Sequence, residues 1–67
     1  MPDFATNLKT ARVAANLTQQ ALADRLGKPQ STVGRWEIGA MSPGVDWLPK
    51  IAEALGCEVG RLIGEKP

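Results

Sequence analysis

Apolar residues recur along this chain at helical spacing from one end to the other, and no strand-like alternation of four or more residues flanked by turn signals interrupts them. The pattern predicts five short helices and an all-α fold. The first runs from about Phe4 to Ala15, with Asp3 as its cap, Phe4, Leu8, Ala11 and Ala15 along one face, and Asn16 ending it in the left-handed conformation. Thr18 caps the second, whose inward stripe is Leu22, Ala23 and Leu26 and whose break is Gly27. Pro29 fits a first helical turn and biases Lys28 toward extended backbone, so a third helix is expected over about 29–37, closed by Gly39. The Ser-Pro-Gly content of AMSPGV marks a surface loop. After Asp46 a fourth helix takes Pro49 into its first turn and places Leu48, Ile51, Ala52 and Leu55 on one buried face. Gly56 stops it, and Val59, Leu62 and Ile63 make a short fifth helix.

Length limits what these helices can do. A chain of 67 residues is expected to form a single domain, 1–67. A domain of this size buries only about 60% of the surface its unfolded chain exposes, so nearly every apolar side chain is needed for the core. The single cysteine, Cys57, excludes an intrachain disulfide, and without histidine a zinc or haem site has almost no ligands. No metal or cofactor is expected. The thiol usage fits a reducing, cytoplasmic setting, no apolar run is long enough to cross a bilayer, and MPDFATN lacks the basic and apolar blocks of a secretory signal.

The net charge of +1 argues by itself against strong polyanion binding, but its distribution is uneven. Lys9, Arg12, Arg25, Lys28 and Arg35 face only Asp3, Asp24 and Glu37 within residues 1–39, whereas acids outnumber bases in the remainder. The basic half contains the second and third helices. Two short helices joined by a tight glycine-containing turn cross steeply, and the DNA-binding version of that motif lays its second helix in the major groove. On the third helix Pro29, Val33 and Trp36 share one face, and Gln30, Ser31, Gly34 and Arg35 share the other. Gln can offer adenine a donor and an acceptor together, Arg can fork onto guanine, and Ser can bond base edges or phosphate. Gly34 leaves room for close approach. The plain alternative is a solvated helix face.

Residues 19–38 resemble the helix-turn-helix of the Cro and phage-repressor-type regulators. Gln19 opens the second helix, Ala23 is the small residue at the crossing, Gly27 sits in the turn, and Val33 and Trp36 fill the core. LKTAR before the motif, WEIG after it and IAEALGCEVGRLI near the end extend the likeness over about residues 4–64. The resemblance implies a bacterial or phage transcription regulator, most often a repressor, that binds double-stranded DNA as a homodimer. It implies phosphate contacts from Gln19 and from Lys28 or Thr32, and base-facing positions at Gln30, Ser31 and Arg35. It also implies an ion pair between Arg12 and Glu37 with a structural role, tying the first helix to the end of the third. That leaves Lys9, Arg25, Lys28 and Arg35 as phosphate-side cations.

Three features depart from the family pattern. AMSPGV carries no base, the second turn position is Lys28 rather than apolar, and Pro29 replaces the usual Ser or Thr cap. With few cations per monomer the phosphate contribution to affinity is small, which favours a dimer on a palindromic site. Trp47, Arg61 and Ile63 fall where the family places its dimer contact, although Trp47 could equally be a staple under the loop. The rival reading is a protein-interaction module, antitoxin-like or antirepressor-like, on the same scaffold. An enzyme is the weakest reading, because the chain has no histidine, no clustered carboxylate pair and no phosphate-cradling loop, and Cys57 has no evident base.

Overall fold

One hydrogen-bond pattern, repeated at helix after helix, sets the path of the chain. The computed structural model describes residues 3–64; the ends of the 1–67 span, 1–2 and 65–67, lie outside the described residues. Helix α1 (Phe4–Ala14) starts at Asp3, whose carboxylate accepts from the Thr6 N–H at 2.9 Å. It ends in a wide turn through Asn16, which takes a φ of 60°. The Asn16 N–H donates to Val13 O and the Leu17 N–H to Arg12 O, the paired bonds that close a helix around a left-handed residue.

Helix α2 (Gln19–Leu26) is capped by the Thr18 hydroxyl, which accepts from the Ala21 N–H at 3.0 Å. It ends the same way at Gly27, with a φ of 68° and bonds from Gly27 to Asp24 O and from Lys28 to Ala23 O. Only Gly27, Lys28 and Pro29 separate it from α3 (Gln30–Glu37). A 3₁₀ turn (Val45–Trp47) then leads directly into α4 (Leu48–Leu55), which closes on a left-handed Gly56, and α5 (Val59–Ile63) follows. Pro49 lies in the first turn of α4, where its missing N–H breaks no intrahelical bond.

All five α-helices supply the core. Leu8 and Ala11 meet Leu22, Ala23, Val33, Trp36, Ile51, Ala52, Leu55 and Leu62 in one buried cluster. Helix α1 packs on α3 and α5, and α2 packs on α3 and α4, so the helix-turn-helix is held from both sides. Two longer bonds fasten the outer helices: Asn7 Nδ2 donates to Leu62 O at 3.2 Å, and Arg25 Nη1 donates to Ala54 O at 2.9 Å.

The core differs from the sequence expectation at its margins. Pro29 does not open α3 or share its packing face; it is the exposed N-cap residue, with an extended ψ of 150°, and Val33 and Trp36 pack without it. A proline ring fixes φ but does not force helical ψ, so the helix begins one residue later. In α5, Val59 and Leu62, three residues apart, face the core, and Ile63 is 51% exposed. Leu48 is half-buried at the start of α4.

Gly27→Ala should lower stability by about 1 kcal/mol, because a side chain is disfavoured at left-handed φ. The effect is conformational, since an added Cβ would meet nothing within 4 Å. An unchanged urea midpoint would show that α2 closes by another route. The Thr6 N–H bond holds the Asp3 carboxyl below its ordinary 3.8. The cap is therefore fully present above that value and lost as pH falls through the lower folded pKa. The Thr6 amide shift should follow that acid titration, and a midpoint at or above 3.8 would contradict the bond.

Candidate nucleic-acid interface

The outer face of the helix-turn-helix is built around a carboxylate almost closed off from solvent. Glu37, the last residue of α3, has a side chain 2% exposed against 12% for Arg12. Arg12 Nε donates to Glu37 Oε2 at 2.6 Å and Nη2 donates to Oε1 at 3.1 Å, so the contact is two-pronged. The third donor, Nη1, reaches Leu17 O at 2.7 Å, just before the Thr18 cap. One guanidinium thus fixes the end of α3 and the entry to α2 relative to α1.

The same carboxylate reaches outward. Gln19 Nε2 donates to Glu37 Oε1 at 3.0 Å, and Gln19 Oε1 accepts from Gln30 Nε2. Gln19, expected at a phosphate, and Gln30, expected at a base, are therefore joined to each other and to the ion pair. Gln30, Ser31 and Arg35 are exposed along α3, while Thr32 is half-buried. Beside them Gly34 is half-buried, and a Cβ there would stand 3.5 Å from Gln19 Oε1 and 3.7 Å from Gln30 Nε2. Those are ordinary contacts, so packing does not require glycine at this position.

The cations are less free than their charges suggest. The Lys28 ammonium lies 4.2 Å from the centroid of the Trp47 ring, and the Lys50 ammonium lies 4.6 Å from it. Two cations thus share one indole, an arrangement that attracts each of them to the ring. Trp47 is half-buried and packs against the core next to the loop. Arg25 is engaged with the Ala54 carbonyl. Arg35 is exposed on α3 and Lys9 on α1.

Sequence reading did not find the Gln19–Gln30 bond or the shared ring. The ring could have been half anticipated, since Trp47 and Lys50 are three residues apart at the start of a helix. The Lys28 contact spans α2's end and α4's start and has no local signal. Among the described residues no group of three or more His, Cys, Asp or Glu is placed to hold a metal ion, and no helix is long and apolar enough to cross a membrane.

Residues 8–62 match the family model described as helix-turn-helix. The chain belongs to the helix-turn-helix family, in its Cro and phage-repressor-type form. Among curated relatives of this helix-turn-helix chain is YonR, an HTH-type transcriptional regulator derived from the SPbeta prophage of Bacillus subtilis, 33% identical over 60 residues. The match covers 90% of this chain and 56% of that protein, so the chain spans little more than half of its curated relative. Among solved structures, the restriction-modification controller protein C.AhdI from Aeromonas hydrophila superposes with a TM-score of 0.83 at 33% identity, covering 90% of this chain and 91% of its own. The apo form of HppE superposes with a TM-score of 0.83 at 36% identity, and there the match covers 34% of the HppE chain.

Glu37→Ala should cost about 3 to 5 kcal/mol, because it leaves the part-buried Arg12 guanidinium without its carboxylate partner. That loss is comparable to the whole stability of a domain this small. Thermal unfolding of this variant should show a large drop in Tm. A melting curve like that of the wild type would mean that the pair holds nothing together.

Proposed function

We infer that this domain is a sequence-specific, DNA-binding transcription regulator of bacterial or phage type, acting as a repressor with α3 in the major groove. The observation that carries the reading is the division of α3 into two faces. Val33 and Trp36 are buried in the core, whereas Gln30, Ser31 and Arg35 stand exposed together. A helix held this way presents side chains suited to base edges without giving up its own packing. The regulatory role of YonR and the controller role of C.AhdI support the same reading.

Within it, Gln30, Ser31 and Arg35 meet bases. Gln19, at the first turn of α2, meets phosphate with the N–H it has left after bonding Glu37. Thr32 and Lys28 complete the backbone contacts, and for Lys28 this means leaving the Trp47 ring or carrying it along. The domain acts as a homodimer on a palindromic site, since a monomer with net charge +1 neutralises few phosphates and two copies double the number. Catalysis has no place in this reading. Partial burial raises the Cys57 thiol above its ordinary 9.0, which keeps it protonated and poorly nucleophilic.

An amide-shift titration with a random-sequence duplex, at low and then higher salt, tests the reading and requires no defined operator. Shifts should gather at Gln19, Lys28 and Gln30 through Arg35 and fade as salt rises. A silent surface would instead favour a protein partner on the same scaffold. Arg35→Ala should then lower discrimination at one base pair by about 1 to 3 kcal/mol. Equal loss on every duplex would make Arg35 a phosphate contact.

A further inference from the structure

A cleft of about 360 Å³ opens between α2 and α4, and no residue of α3 lines it. Its walls are the half-buried side chains of Leu26 and Ala54 and the indole of Trp47, and its rim carries Arg25, Lys50 and Glu53, all exposed. Small-molecule sites are clefts from about 300 Å³ upward, with walls mainly apolar and aromatic and a few polar groups that fix orientation. This cleft has both that size and that make-up.

Its charge is unbalanced. Arg25 and Lys50 stand on the rim, and Lys28 rests on the same indole as Lys50. None of the three is in an ion pair; among the described residues the salt bridge is that of Arg12 with Glu37. Glu53 therefore shares the rim without pairing with either cation there. The bond from Arg25 Nη1 to Ala54 O anchors the guanidinium at one wall and leaves its other donors without a protein partner. Cations gathered around one ring repel each other, and an anion placed among them relieves that repulsion. A bare anion would leave the apolar walls in water, whereas a neutral ring would leave the cations unmatched. An aromatic carboxylate satisfies both.

We propose that the cleft between α2 and α4 binds a small aromatic carboxylate of one or two rings. Its ring lies against Trp47, Leu26 and Ala54, and its carboxylate lies between Arg25 and Lys50. The site is separate from the face of α3 and does not depend on what that face meets, so the protein alone tests it.

The experiment is an amide and indole N–H shift titration with indole-3-acetate, beside its neutral analogue indole-3-acetamide, acetate and inorganic phosphate. Contacts between exposed charges are individually weak, so binding of the aromatic acid is expected at about millimolar Kd. Shifts should gather at Arg25, Leu26, the Trp47 indole N–H, Lys50 and Ala54. The amide should bind at least about fivefold more weakly, Lys50→Gln should lose about threefold, and Trp47→Leu should lose at least about threefold. Lys9→Gln removes the same unit of charge from α1 and should bind like the wild type, which separates a local site from overall charge.

A silent cleft, equal binding of acid and amide, or an unchanged Kd in Lys50→Gln would overturn the proposal. So would phosphate or acetate moving the same signals as far as the aromatic acid, which would make the cluster a plain anion surface. A glutamate-rich peptide that moves them at lower concentration than indole-3-acetate would assign the cleft to a protein segment instead. If Trp47→Leu does not fold, Lys50→Gln and the ratio of acid to amide decide it.

Discussion

The Arg12 guanidinium meets the last residue of α3 with two donors and the Leu17 carbonyl with a third, and the geometry of the domain depends on that three-way contact. Burying such a pair gains little over an apolar filling of the same shape. What it supplies is direction. An apolar cluster can slide by a fraction of a turn at small cost, whereas a two-pronged guanidinium and carboxylate meet in one arrangement. Because α1 also packs on α5, the register set at Arg12 passes to the far end of the fold.

Much of this was legible in the sequence because it is written in local rules. Asp3, Thr18, Gly27, Gly39 and Gly56 act at or beside the helix ends where those rules put them, through hydrogen bonds that reach only a few residues. Core positions of α2, α3 and α4 followed from helical spacing for the same reason. Pro29 did not, since it lies at a helix edge where one residue of boundary shift changes which face a side chain takes. The Arg12 and Glu37 partnership came from family resemblance; spacing alone gives no hint of two residues that far apart.

The candidate interface was legible only in part. Exposure of Gln30, Ser31 and Arg35 follows from the burial of Val33 and Trp36, which periodicity reveals. The bonds among Gln19, Gln30 and Glu37, and the two lysines on Trp47, depend on how separate helices meet. A linear pattern carries that information weakly. Charge counting likewise treats Lys28 and Arg25 as free, although one rests on an aromatic face and the other on a helix-terminal carbonyl.

Helices α2, α3 and α4 are eight residues each, and α5 is five. Isolated helices shorter than about 12 to 15 residues are marginal in water, so none of these persists without the others. The surface that α3 presents is therefore owned by the whole domain. A partly unfolded chain would retain no weakened version of it, and the protein's capacity to recognise anything through that face should appear and vanish as a unit, in step with the fraction of molecules that are folded.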